Sequence, residues 1–272
     1  MLKGKKVAII GGGKMGSIIA EGLITHKIVP AKNITISDID ARRLDFLHSS
    51  LKTHISQDNE KAAQDADIII LAVKPQNMVV TLIGISPVVN KSKTVISIAA
   101  GITTRLIENH LCKGARVVRV MPNTPALVGE GAAAVAPGNC AKAGDVKLAR
   151  AIFDAVGISV EVKESLMDAV TGLSGSGPAY FFLMIEALIE AGLKTGLPRN
   201  LAKQLAVQTM LGAARLCMES DKEPAQLREM VTSPNGTTFE GLKVMEANNI
   251  RKIMVATVQA ATRRSKELAK GK

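Results

Sequence analysis

The sequence predicts an α/β chain: a doubly wound, mostly parallel sheet in its N-terminal part, followed by a part built of helices alone. Three observations carry this. Short β-branched runs alternate with helix-like stretches as far as Val162, a glycine-rich loop directly follows the first run, and beyond Val162 the apolar spacing is helical throughout. The change of periodicity divides the chain into residues 1–162 and 163–272 without a flexible linker. At 47% hydrophobic, a chain of this length has material for one large core or two modest ones.

Taken in order, Val7–Ile10 reads as the first strand. Lys3, Lys5 and Lys6 precede it, but the apolar run ends in glycines and has no cleavage-type region, so it is not read as a leader. Ile34–Ser37, Ile68–Val73, Thr94–Ile98 and Val117–Val120 are the next strands, their unbroken apolar character suiting a sheet buried on both faces. Gly16–Thr25 and Ala41–Ser50 are crossover helices, and Ala132–Ala136 and Val160–Val162 are read as added edge strands. In the second part Leu173–Lys194 reads as one long helix, with start signals in Ser176-Gly177-Pro178 and an end at Gly196-Leu197-Pro198. Arg199–Met218, Thr237–Ala247 and Arg251–Leu268 complete four helices. The row Phe181, Phe182, Leu183, Met184 and Ile185 leaves these helices apolar around much of their girth, which predicts packing against a second copy of the chain.

The charge balance of 35 basic against 24 acidic residues gives +11, which suits either nucleic acid or anionic small molecules. Aromatic residues make up only 2%, so the stacking platforms of single-strand binders are missing, and anionic small ligands fit better. The one dense basic patch, Arg263, Arg264, Lys266, Lys270 and Lys272, reads as the end of the last helix, where cations suit the dipole. Cys112, Cys140 and Cys217 are far apart and form no disulfide framework or Cys-x-x-Cys motif, and the four histidines show no ligand spacing. No metal site is expected. The longest apolar runs are too short to span a bilayer, and Tyr180–Leu193 is interrupted by Glu186 and Glu190, so a cytoplasmic protein with no membrane partner is expected.

Gly11-Gly12-Gly13-Lys14-Met15-Gly16 has the G-x-G-x-x-G spacing between the first strand and the first helix, the place where backbone N–H groups approach a pyrophosphate. In that context the first part is a Rossmann-type dinucleotide-binding domain. Asp38, after the second strand, points to a ribose 2′-hydroxyl and NAD(H); Arg42 or Arg43 would instead accept the 2′-phosphate of NADP(H), so the residues leave both cofactors open. Val231-Thr232-Ser233-Pro234-Asn235-Gly236-Thr237-Thr238 packs a turn and several hydroxyls just before a helix, an arrangement suited to holding a small carboxylate. An ordinary N-cap would look the same.

These stretches, together with Ala72-Val73-Lys74-Pro75-Gln76, Arg119-Val120-Met121-Pro122-Asn123-Thr124-Pro125 and Leu173-Ser174-Gly175-Ser176-Gly177-Pro178-Ala179-Tyr180, occur in one order, and the chain resembles the pyrroline-5-carboxylate reductases from near its N-terminus to about Leu268. Pro224–Glu246 carries the most specific spacing. The resemblance implies an all-α C-terminal dimerisation domain, NAD(P)H-dependent reduction of 1-pyrroline-5-carboxylate to L-proline, and dimers that assemble further, for instance into decamers. It implies that Gly11, Gly13, Lys14, Met15, Gly16, Asp38, Asn59, Ala72, Val73, Lys74, Pro75, Ala99, Ala100 and Gly101 hold the cofactor. It also implies that Ser233, Gly236, Thr237, Thr238 and Ser176 meet the substrate, with Thr238 beside the ring nitrogen. Asn235 replaces a glycine common in the family, and Asn tolerates the positive φ such a turn needs. Met230 stands where some relatives have a polar residue. The alternatives are a β-hydroxyacid dehydrogenase, disfavoured because Pro178–Ala191 contains no lysine to act as acid/base, and a dinucleotide sensor without turnover.

Overall fold

The computed structural model describes Leu2 and residues 4–270. Lys3, Lys272 and the Lys270 side chain lie outside the described residues. Two compact units form: residues up to Ser176 together with those from Ala260 on, and Gly177–Gln259. The strands end near residue 162, as the periodicity predicts, whereas the compact units part at Ser176, because the first helical turns after the sheet pack on the sheet itself.

The first unit opens β1 (Val7–Ile10), α1 (Lys14–Thr25), β2 (Ile34–Ser37), α2 (Ala41–Leu51), β3 (His54–Ser56), α3 (Asn59–Gln64), β4 (Ile68–Leu71) and α4 (Met78–Ile85). It continues through β5 (Thr94–Ser97), α5 (Thr104–His110), β6 (Arg116–Met121), β7 (Gly131–Pro137), α6 (Ala143–Phe153), β8 (Gly157–Glu161) and the single turn α7 (Met167–Val170). Strand order is β3-β2-β1-β4-β5-β6-β7-β8, parallel except for the antiparallel β6–β7 pair. Alternate residues of β1 feed opposite cores. Val7 and Ile9 join the cluster under α1, α2 and α6, while Ala8 and Ile10 join the one under α3, α4 and α5.

Three readings need correction. Ala132–Ala136 belongs to β7, which is an interior strand; β8 is the edge. β4 and β5 stop at Leu71 and Ser97, so the residues after them are free to line the carboxyl edge of the sheet. β3, unread in the sequence, has only Ile55 as an apolar signal and owes its strand form to pairing with β2.

The second unit contains α8 (Gly177–Lys194), α9 (Arg199–Glu219), α10 (Pro224–Met230), α11 (Thr237–Ala247) and the first half of α12 (Ile250–Lys270). α8 does not begin at Leu173. A π-turn over Thr171–Gly175 precedes it, closed by a bond from Ser176 N–H to the Thr171 carbonyl at 2.8 Å. α8 ends in a Schellman motif: Gly196 has φ +95°, and the Leu197 N–H reaches the Gly192 carbonyl at 2.9 Å. α9 returns alongside α8, close enough that a Cβ on Gly192 would lie 2.8 Å from the Ala202 Cβ. The additional helix α10 has Pro224 in its first turn, and Gln226 closes back on the Glu223 N–H at 2.9 Å. Phe181, Phe182 and Leu183 are all more than half exposed within the chain.

By length and composition, one helical run among the described residues, Glu164–Lys194, is apolar enough to cross a membrane. Its first third is tied into the first unit, with Met167 fully buried and the Glu164 carboxylate bound to Thr104.

Candidate functional site

β1 and β2 lead away from β4 and β5 in opposite directions, so the sheet has a topological switch between β1 and β4, where open α/β sheets bind ligands. A cleft of about 460 Å³ lies there, lined by Gly11 and Gly13 after β1, Ser37 at the end of β2 with Asp38 and Ile39 after it, Asn59 of α3, and Ala72, Val73 and Lys74 after β4. The loop geometry demands glycine at two places. Gly11 has φ +110°, and a Cβ there would meet the Ala72 carbonyl oxygen at 2.7 Å; a Cβ on Gly16 would meet the Gly11 carbonyl oxygen at 2.0 Å. Gly13 differs: its φ is −65° and a Cβ there would meet nothing within 4 Å. Gly13 caps α1 with no side chain, so the N–H groups of Lys14, Met15 and Gly16 have no intrahelical acceptor and carry the positive end of the helix dipole. Open space in front of free N–H groups is a cradle that fits a pyrophosphate.

The Asp38 carboxylate is fixed beside that cradle. Oδ2 accepts the Gly12 N–H at 2.7 Å and Oδ1 accepts the Asp40 N–H at 3.1 Å. Arg43, read from sequence as one of two candidates for a 2′-phosphate, is a brace for the loop: Nε donates to the Gly12 carbonyl at 2.8 Å and Nη2 to Ser17 Oγ at 3.0 Å, and the guanidinium lies 5.4 Å from the centre of the Phe46 ring. Asn59 accepts from Ser37 Oγ at 2.7 Å through Oδ1, leaving its Nδ2 as a donor; the cap of α3 is Asp58.

Pro75 opens a short 3-10 turn after Lys74. Ala99, Ala100 and Gly101 follow β5, the neighbour of β4, with Gly101 at φ +72° and packed against Leu268 of α12. The sequence reading misses what steadies this loop. Glu164 accepts from the Thr104 N–H at 2.7 Å and the Thr104 hydroxyl at 2.6 Å, and Arg119 Nη1 lies 3.4 Å from the same carboxylate. It also misses Asn123, whose Nδ2 donates to the Ser174 carbonyl at 3.1 Å and whose Oδ1 accepts the Ala132 N–H at 2.8 Å, tying the π-turn before Ser176 to β7. The signal for Asn123 in the sequence was its place inside the Arg119–Pro125 run.

The second unit holds the other set. Asn235 has φ +56°, Gly236 caps α11 without a side chain, and the Gly236 N–H bonds the Ser233 carbonyl at 3.0 Å. A Cβ on Gly236 would meet Ser233 Oγ, so a larger residue there would have to turn the Ser233 side chain aside. Among the described residues no internal hydrogen bond engages the hydroxyls of Ser233, Thr237 or Thr238. Three hydroxyls without an internal partner and an uncapped helix start lie within six residues of chain, the kind of donor set that can hold a small anion. Met230, next to this turn, is exposed.

Residues 164–268 match the family described as pyrroline-5-carboxylate reductase dimerisation, and residues 6–101 the family described as NADP oxidoreductase, coenzyme F420-dependent. A pyrroline-5-carboxylate reductase of Methanosarcina acetivorans is 46% identical over 269 residues, which cover 99% of this chain and 100% of the relative. The solved structure of a pyrroline-5-carboxylate reductase from Coxiella burnetii superposes with TM-score 0.92 at 39% identity, covering 97% of this chain and 98% of that one. That of the Plasmodium falciparum pyrroline carboxylate reductase with NADP bound does so with TM-score 0.89 at 35% identity, covering 99% of this chain and 100% of that one.

Proposed function

The chain belongs to the pyrroline-5-carboxylate reductase family, and from that premise we propose that it reduces 1-pyrroline-5-carboxylate to L-proline, the last step of proline synthesis. The observation that carries the reading is that one chain has both an uncapped glycine loop open to a pyrophosphate at Gly13 and an uncapped, hydroxyl-rich turn at Gly236. Residues 1–162 serve the cofactor, and residues 163–272 serve the substrate and self-association. The protein acts in the cytoplasm as a dimer built through its helical part, with decamers as a further level of assembly.

The nicotinamide supplies the hydride when bound, and the protein supplies position and charge. Gly11, Gly13, Lys14, Met15 and Gly16 hold the pyrophosphate; Asp38 and Asn59 hold the adenosine side; Ala72, Val73, Lys74, Pro75, Ala99, Ala100 and Gly101 line the path to the nicotinamide. The substrate carboxylate sits on the N–H groups of Thr237 and Thr238 and the hydroxyls of Ser233, Thr237 and Thr238, which the Gly236 turn presents, its own N–H being held by the Ser233 carbonyl, with Ser176 against the ring. Thr238 orients the ring nitrogen and passes it a proton drawn from water, since an unassisted threonine hydroxyl is too weak an acid to supply one. Thr238→Ala therefore lowers kcat by about 100-fold and leaves the Kd for the dinucleotide unchanged; equal loss of both would remove Thr238 from this role.

The test of the function is oxidation of NADPH, and separately NADH, by purified protein with and without 1-pyrroline-5-carboxylate. Substrate-dependent loss of nicotinamide absorbance is expected. Silence from folded protein that binds a dinucleotide would overturn the reading in favour of a sensor or another substrate.

A further inference from the structure

Two groups of opposite sign compete for the adenosine ribose in the sequence, and the structure separates them. Asp38 sits at the tip of β2 in the wall of the cleft, held by one backbone N–H on each oxygen, so its charge is fixed in place and each oxygen keeps a lone pair for a further donor. Neither nearby arginine lines the cleft. Arg43 is committed to the Gly12 carbonyl, Ser17 and the face of Phe46, and Arg42 is exposed on α2 with its backbone N–H bonded to Asp40. The cation that does line the cleft, Lys74, follows β4, two strands away from β2. A ribose 2′-hydroxyl has an acceptor waiting, whereas a 2′-phosphate would face a carboxylate held by two backbone N–H groups, with the Arg43 guanidinium committed to the glycine loop.

From this we infer that Asp38 selects the cofactor and makes this chain NADH-preferring, a departure from the relative of Plasmodium falciparum solved with NADP bound. Selection comes from the repulsive element as much as from the attractive one. Rebuilding Arg43 toward a phosphate would break two bonds that hold the glycine loop, so the loop and the preference are set by one network. The inference rests on the assignment of this cleft to a dinucleotide, and it is independent of which imine is reduced.

Fluorescence titration of the full chain with NADH and NADPH reads it directly. The expected Kd for NADH is at least about tenfold below that for NADPH. Asp38→Ser, which keeps an oxygen for the Gly12 N–H, is expected to weaken NADH and tighten NADPH until the ratio falls below about one. Equal or tighter binding of NADPH by the unaltered chain overturns the inference, as does an unchanged ratio in Asp38→Ser. Asp38→Asn, which retains an acceptor in the same shape, gives the ratio again should the serine variant fail to fold. Binding of neither nucleotide would bring down the cleft assignment and this inference together. Turnover separates the two ideas: a chain that selects NADH but leaves 1-pyrroline-5-carboxylate unreduced keeps the selection and loses the substrate, and one that reduces it equally with NADPH does the reverse.

Discussion

Gly13 and Gly16 occupy one motif and answer to different constraints. Because a side chain on Gly13 meets only open space, Gly13→Val leaves thermal unfolding nearly unchanged while abolishing dinucleotide binding in a titration. Gly16→Val drives a Cβ into the Gly11 carbonyl and lowers stability whether or not cofactor is present. The motif spelling is legible in sequence because it is contiguous; which glycine serves the fold and which the ligand is not, since that depends on β4 and α1 closing around the loop. The position of Asp38 just after β2 was legible from local pattern, whereas the role of Arg43 was not, its partners Gly12 and Ser17 being brought to it only by the sheet. Asp67 has a predictable pH signature. Burial raises its pKa, but the Lys6 N–H and the Lys5 ammonium, each 2.9 Å away, outweigh that and hold it below the ordinary carboxylate value. A depressed folded-state pKa stabilises at pH above the unfolded value of about 4 and is lost as pH falls through the folded one. Urea titrations between pH 6 and pH 3 should show Asp67→Asn flattening the acid limb of stability.

Elements in this molecule are finished by residues far from them in sequence. The last carbonyls around the end of α3, those of Ala63, Gln64 and Ala66, all accept from the buried Lys93 ammonium at 2.6 to 3.0 Å. Burial pushes the Lys93 pKa down, against the pull of Asp65 and Asp67. Lys93→Met fills the space and orphans the three acceptors, which should cost about 3 kcal/mol in urea unfolding; a loss under about 1 kcal/mol would mean that water replaces the ammonium. Glu164 plays the same part at the start of α5. Strands rich in isoleucine and helices bounded by Gly or Pro were readable from local pattern. β3, α10 and the π-turn were not, because pairing with β2, a Glu223–Gln226 box and the Asn123 tether decide them.

For the whole molecule, the exposed aromatic and aliphatic side chains of α8, α9 and α12 are more than a monomer can leave in water, and the match to a dimerisation family accounts for them. Phe182→Glu, changing a residue 58% exposed within the chain, should shift sedimentation from dimer or larger to monomer without altering helix content. The self-association was foreseeable because hydrophobic excess shows in composition; the division into units was not, because α12 begins in one and ends in the other. Residues from Ala260 on return to the first unit, where the Ser265 hydroxyl bonds Asp168 at 2.7 Å and Leu268 packs against Gly101. The first unit is therefore the last to be completed. A nascent chain that has already displayed its whole sheet still lacks the piece that seats the Gly101 loop, so on the ribosome that loop stays unfinished until the end of α12 has followed.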